Sequence, residues 1–295
     1  MSDGRKFERI AIIGIGLIGS SLAHAVKRHD LAGEIVIAEK SQEALDTAMR
    51  LGLADRGTLS IPAAVRGADL VMVCTPVGAF AEVGQAMRDH LSPGAIVSDV
   101  GSVKQSVVRD LGPCIPEGVH FVPGHPIAGT EHSGPEAGFA ELFEGRWCIL
   151  TPPPGTDRDS VEQIASLWRV CGMMIEVMDA GHHDQVLAVT SHLPHLIAFT
   201  IVGTATDVGE HIQQEVIKFA ASGFRDFTRI AASDPTMWRD IFLNNREALL
   251  EVCGRMSEDI AQLQRAIRWG EGEKIESLIR RTREIRRQLI DANQA

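Results

Sequence analysis

The sequence predicts an α/β domain built on a parallel sheet, followed by a domain made only of helices. Three observations carry this. Short Val- and Ile-rich runs alternate with helical patterns over the first 180 residues, those runs are apolar throughout, and after about residue 180 the strand signal stops. Continuously apolar strands separated by helices imply a parallel sheet covered on both faces. At 295 residues the chain has room for two domains.

The elements follow in order. "RIAIIG" (9–14), "EIVIAE" (34–39), "DLVMVCT" (69–75), "AIVSDV" (95–100) and "VHFVPG" (119–124) read as strands. "IGSSLAHAVKRH", "SQEALDTAMRLG" and "AFAEVGQAMRDHL" lie between them with apolar residues at helical spacing. "RWCILTP" (146–152) and "MMIEVMD" (173–179) are two further strands, and the helix between them opens after "PPPGTD" with Asp157 as its cap. Beyond residue 180, "HHDQVLAVTSHLPHLIAFTIVGTAT", "PTMWRDIFLNNREALLEVCGRMSEDIAQLQRAIRWG" and "EKIESLIRRTREIRRQLIDA" are long helical patterns. The expected division is therefore 1–180 and 181–295. Helices this long cannot all hide their apolar stripes within ~115 residues, so some are expected to pack against a second subunit. A monomer with ordinary helix packing is the alternative.

Composition narrows the partners. Lys and Arg number 29 against 39 Asp and Glu, and a net charge of −10 argues against nucleic acid or an anionic membrane surface. The five cysteines are odd in number and none lie at C-x-x-C spacing, which fits neither a disulfide framework nor a zinc ribbon and points to the cytoplasm. The start, "MSDGRKFER", "IAIIGIGLIG" and "SSLAHA", imitates a signal peptide, but Asp3 and Glu8 spoil its basic region. No apolar run is expected to reach the ~18 residues of a membrane span.

"GIGLIG" sets Gly14, Gly16 and Gly19 in G-x-G-x-x-G, after a strand and at the start of a helix. There the glycines permit a tight turn, and the helix N-terminus faces a pyrophosphate. Glu39 follows 20 residues after Gly19, at the end of the second strand. A carboxylate there binds both ribose hydroxyls and repels a 2′-phosphate, so NAD is expected over NADP. Lys40 is the group that could instead meet a 2′-phosphate. Leu17 and Ile18 between the glycines, Thr75 after "DLVMVC" and Ser102 complete the expected cofactor contacts.

The chemistry candidates come next. "DVGSVK" (99–104) puts Ser102 and Lys104 just past a strand, on the edge where open α/β sheets bind ligands. Capping the next helix is the ordinary use of such a serine. "GHPIAGTEHSG" (124–134) follows a strand on the same edge. It lacks H-E-x-x-H spacing for metal and has no G-x-S-x-G elbow, so no metal is expected. A histidine general base is left, since neutral imidazole suits proton removal near pH 7; a solvated loop histidine is the plain alternative. "TSHLPH" (190–195) opens or kinks a helix at Pro194 and puts His192 and His195 on one face. "SGFRDFTRIAASDPTMW" (222–238) brings Arg225 and Arg229, either carboxylate clamps or surface ion pairs.

In combination and in this order, the glycine loop, "DVGSVK", "GHPIAGTEHSG", "SHLPH" and "GFRDFTRIAASDPTMW" resemble the prephenate/arogenate (cyclohexadienyl) dehydrogenase family. The resemblance implies a Rossmann-type dinucleotide-binding domain, a helical dimerisation domain and a homodimer. It implies NAD-dependent oxidative decarboxylation of prephenate or arogenate in tyrosine biosynthesis. By position it assigns His125 as acceptor of the ring-hydroxyl proton and Ser102 as its neighbour near the nicotinamide. Arg229 would hold a substrate carboxylate. Ser191, His195, Thr130 and Glu131 would line the pocket, and Asp226 and Trp238 would support it; His132 and His192 receive no role. Two rivals stay open. One is another dehydrogenase of 6-phosphogluconate-dehydrogenase-like architecture, which would use a helical-domain lysine; only Lys218 and Lys274 are there, neither in a G-x-x-x-K motif. The other is an NAD-binding sensor without activity.

Overall fold

The computed structural model describes residues 6–207, 218–219 and 221–291, with side-chain burial as far as residue 288. Asp3 of the signal-like start and Ala292 of the last helical pattern lie outside them. The chain begins with β1 (Phe7–Ile13), α1 (Leu17–Arg28), β2 (Ala32–Ala38), α2 (Gln42–Arg50) and β3 (Arg56–Thr58). Then come α3 (Ile61–Val65), β4 (Leu70–Val73), α4 (Phe80–Met87), β5 (Ile96–Asp99), α5 (Lys104–Leu111) and β6 (His120–Val122). These six strands are all parallel, in the order β3-β2-β1-β4-β5-β6. That is the doubly wound order, whose switch point lies between β1 and β4.

Period-two alternation sorts the strand residues onto two faces. Ile10, Ile12, Ile35, Ile37, Leu70 and Met72 pack with Leu22 and Val26 of α1 and Leu45 of α2. Ala11, Ile13, Val36, Val71 and Val73 pack with Val65 of α3, Phe80 and Met87 of α4 and Val107 of α5. β1, β2, β4 and β5 are buried on both sides over most of their length, which is why their sequences read as apolar runs. β1 and α1 thus sit in the middle of this core.

Past β6, β7 (Gly124–Pro126) pairs antiparallel with β8 (Trp147–Leu150), and β9 (Met174–Val177) pairs parallel with β8. α6 (Arg158–Val170) lies between β8 and β9; Asp157 accepts from Ser160 N at 2.8 Å, the cap expected there. Its Ile164, Leu167 and Trp168 join the core face of α1 and α2. Two strands escape the sequence reading. β3 has three residues, and β7 holds a glycine and a proline, tolerated because β7 is an edge strand.

The helical part opens with α7 (Ala180–Leu187), capped by Asp179 through Gly181 N and His182 N. A π segment, Ala188–His192, leads straight into α8 (Leu193–Thr206). Pro194 has no N–H to continue the ladder, and the widened turn absorbs the break, so the chain stays helical where the sequence allowed a kink. Contrary to the sequence expectation, Ala180–Thr206 is long and apolar enough to cross a membrane by length and composition alone. Little of its apolar surface is buried within the chain. α9 (Ser222–Thr228) and α10 (Pro235–Asn244) follow, the latter capped by Asp234 on Met237 N with Pro235 in its first turn. Asn245 then breaks the long pattern expected over 235–270, and α11 (Arg246–Arg268) and α12 (Gly272–Asp291) complete the chain. Packing groups the residues into two compact units, 1–246 and 247–295. Residue 180 marks a change of secondary-structure class rather than of packing.

Candidate active site

Every motif of the α/β part lies past the carboxyl end of a parallel strand: Gly14 after β1, Glu39 after β2, Thr75 after β4, Ser102 after β5 and His125 after β6. The glycine loop fits a dinucleotide. Gly14 has φ +92°, and a Cβ there would stand 3.0 Å from the Cys74 backbone and from the Thr75 side chain. A Cβ on Gly19 would come within 2.3 Å of the Gly14 carbonyl, so the loop and α1 need glycine at both places. A Cβ on Gly16 would meet nothing, and α1 begins there with no side-chain cap and no acidic residue in its first turn. Open space before uncapped N–H groups suits a pyrophosphate. Leu17 and Ile18 form that first turn and are half-buried. The Glu39 carboxylate accepts from Ile15 N at 3.0 Å and Ser41 N at 3.2 Å, which fixes it beside the loop. Thr75 Oγ1 is buried with no partner among the described residues, at the switch point where a cofactor would reach it. Lys40 is exposed.

Ser102 is half-buried in the loop before α5, and it is not the helix cap: Val103 occupies that position and offers no side-chain bond. The first N–H groups of α5 are satisfied instead by a carboxylate from α7. Asp184 accepts from Lys104 N at 2.7 Å and Gln105 N at 2.9 Å. Lys104 does not face ligand, as the sequence had suggested. Its ammonium is fully buried, 2.5 Å from Asp99 Oδ2 and 2.5 Å from the Gly124 carbonyl. Burial pushes the Asp99 carboxyl up and the Lys104 ammonium down, each opposed by the other's charge. With Gly124 N on Asp99 Oδ1 at 3.2 Å, the pair pins the residue before His125.

His125 is not in a loop but in β7, 8% exposed. Its Nδ1 lies 2.8 Å from His183 Nε2, and His183 Nδ1 lies 2.8 Å from Asp184 Oδ1. Burial, then the neighbouring His183 and the Lys104 charge, hold the His125 imidazole well below the ordinary histidine range. It is therefore neutral at pH 7, the form a proton acceptor needs.

The network continues. Asn245 Nδ2 donates to the Asp184 carbonyl at 2.8 Å and to His192 Nδ1 at 2.9 Å, so the buried His192 carries its hydrogen on Nε2. Burial lowers the His192 pKa to about 4. His195 stacks on Trp238 with ring centres 3.6 Å apart, while its Nδ1 donates to the Ser191 carbonyl at 2.9 Å. Trp238 is packed with Val103, Ile241 and Phe199, which ties the residue after Ser102 to the helical side of the site. Trp238 Nε1 and His192 Nε2 are buried donors without an acceptor among the described residues. Arg229, its side chain 59% exposed, reaches Glu131 Oε2 at 3.1 Å. The Glu131 carboxyl is held below its usual range by its own backbone amide and, after that, by Arg229. Burial and, less strongly, the Arg229 charge disfavour the protonated form of His195.

The structure thus joins His125, Trp238 and His195 through one buried network and joins Arg229 to Glu131. Thr130 is exposed, and its hydroxyl accepts from His132 N at 3.2 Å, shaping the loop. Asp226 is exposed on α9, and the Ser191 side chain is half-buried in the π segment. His183, Asp184 and Asn245 escape sequence reasoning: they sit inside helical patterns, and their partners lie 53 to 80 residues away. Among the described residues, no group of three or more His, Cys, Asp or Glu is arranged for a metal ion.

The family model "Prephenate dehydrogenase, nucleotide-binding domain" matches residues 22–177, and "Prephenate dehydrogenase, dimerization domain" matches 179–282. A cyclohexadienyl dehydrogenase of Zymomonas mobilis is 44% identical over 267 residues, covering 90% of this chain and 91% of its own. A prephenate dehydrogenase of Bacillus subtilis is 37% identical over 278 residues, covering 92% and 73%. The crystal structure of prephenate dehydrogenase from Aquifex aeolicus with hydroxyphenyl propionate and NAD+ superposes with a TM-score of 0.86 at 37% identity, over 96% of this chain and 98% of that one.

Proposed function

This chain belongs to the prephenate dehydrogenase family, and from that premise we propose that it carries out the NAD-dependent oxidative decarboxylation of prephenate to 4-hydroxyphenylpyruvate, of arogenate to tyrosine, or of both, with His125 as the base. The observation that carries the proposal is a buried, neutral histidine held on the cofactor edge of the sheet. The cofactor, when bound in the glycine loop, supplies the hydride acceptor. His125 takes the proton of the ring hydroxyl as that carbon becomes a carbonyl. The carbonyl is conjugated with the ring, so the C–C bond to the ring carboxylate breaks with its electrons drawn into the ring, which becomes aromatic. Aromatisation drives the step, so the chain's tasks are orientation and proton removal. Ser102 sits beside the reacting oxygen and the nicotinamide, Arg229 holds a substrate carboxylate, and Thr130, Glu131, Ser191 and His195 line the pocket. Trp238 and Asp226 support it. Gly14, Gly16, Leu17, Ile18, Gly19, Glu39, Lys40 and Thr75 contact the cofactor, with Glu39 favouring NAD.

We place the change of function at residue 180, in step with the two family models. The helical part forms a homodimer. Its apolar side chains that remain exposed, Val189, Ile201, Leu250, Ile267 and Trp269 among them, support a second copy rather than a bilayer as their cover. Five free cysteines support a cytoplasmic location.

Steady-state kinetics with prephenate and arogenate, each against NAD+ and NADP+, test the activity. NADH production with at least one substrate is expected; none with either would refute it. His125→Asn should lower kcat by about 10²–10⁴-fold and leave NAD+ affinity unchanged. An unaltered kcat would remove His125 from the role.

A further inference from the structure

We propose that His183 is a positioning residue for this reaction, locking His125 in the tautomer with hydrogen on Nδ1 so that Nε2 takes the substrate's proton. The proposal rests on His125 being the base. The direction of the chain is set from its far end. Two backbone N–H groups of α5 donate to Asp184, Lys104 N to Oδ1 and Gln105 N to Oδ2. With a backbone N–H on each oxygen, this carboxylate acts as an acceptor on both sides. His183 Nδ1, 2.8 Å from Oδ1, must therefore carry a hydrogen. A neutral imidazole has one N–H, so His183 Nε2 is an acceptor. It faces His125 Nδ1 at 2.8 Å, and that nitrogen must donate. The lone pair of His125 is left on Nε2.

All three side chains are buried, so water does not compete for these bonds. The chain also suits the proton's course. The hydroxyl O–H breaks and an N–H forms on Nε2. After loss of CO₂ the same oxygen, now a phenolate, takes a proton back, while the C–H electron pair has gone to NAD+. No proton is consumed or released overall, so His125 needs no path to solvent. During the interval the imidazolium donates from Nδ1 to His183, whose other nitrogen is anchored on Asp184. Orienting the base and supporting its charged form are one arrangement.

Two measurements test this. The first is ¹⁵N NMR of the full-length protein with labelled histidine, with NAD+ bound and at neutral pH. His125 Nδ1 should be protonated and Nε2 bare; the opposite tautomer overturns the proposal whatever any variant does. The second compares His183→Phe, which removes the acceptor, with His183→Gln, whose Oε1 can accept in its place. His183→Phe should lower kcat about ten- to hundredfold with KM within about twofold. It should also change the acid limb of the kcat profile, which reflects His125 among His183, Lys104 and His192. His183→Gln should restore most of the rate. A His183→Phe enzyme with unchanged kcat and pH profile overturns the positioning role. If His125→Asn is also fully active, the failure lies with His125 as base; if only His125→Asn is impaired, it lies with His183 alone.

Discussion

At the scale of single residues, electrostatics decides which groups act. Arg229 keeps a largely exposed guanidinium whose ion-pair partner among the described residues is a surface carboxylate, and such pairs exchange readily for a better anion. As the proposed carboxylate clamp, it would grip substrate and transition state alike. Arg229→Ala should therefore raise KM, by about tenfold or more, with little change in kcat. Steady-state kinetics check this, and a large kcat loss at unchanged KM would assign Arg229 to the chemistry instead. The sequence made Arg229, Glu131, His125 and Trp238 visible because each sits in a compact motif. It hid Asp99–Lys104 and His183–Asp184, because burial turns ordinary polar residues into a fixed network and no local pattern announces burial. Lys104 is the clearest case: on the ligand edge by position, sealed beneath it in fact.

At the scale of elements, helix starts decide where ligands and partners go. α1 begins uncapped in front of open space, whereas α5 is closed by Asp184. The first suits a pyrophosphate and the second binds the helical part to the sheet. Gly19→Ala forces a Cβ against the Gly14 carbonyl and should weaken NAD+ binding at least about tenfold by fluorescence titration, since relief requires the loop itself to move. Binding at wild-type strength would contradict this account of the loop. The long strands and α1 were legible because two-sided burial makes a continuous apolar run. β3 was not, because its three residues are mostly exposed and carry no apolar run, and β7 was not, because its glycine and proline read as loop. The 235–270 pattern read as one helix because the break at Asn245 follows from its side chain's distant partners, His192 and Asp184.

At the scale of the whole molecule, two properties follow. The first is acid sensitivity. His192 has a folded pKa of about 4 against an ordinary value near 6.5, and burial moves His125 and His183 in the same direction. The unfolded chain therefore binds more protons between those values, and stability falls as pH drops from about 6.5 through 4. His192 alone contributes about 3 kcal/mol over that window. Denaturant titrations at fixed protein concentration should show the decline; equal stability at pH 7 and pH 4.5 would contradict it. The second is assembly. Ile267→Glu, at an exposed apolar position of α11, should shift the proposed homodimer toward monomer in sedimentation, while an unshifted dimer would move the contact elsewhere. The widened turn before Pro194 also has an evolutionary side. Removing one residue from 188–192 would yield a more regular helix, yet it would turn everything after it by about 100° relative to α7. Trp238 and His195 would turn together away from Val103 while His183 stayed in place. Lineages of this chain can therefore trade side chains along the rod far more freely than they can change its length there.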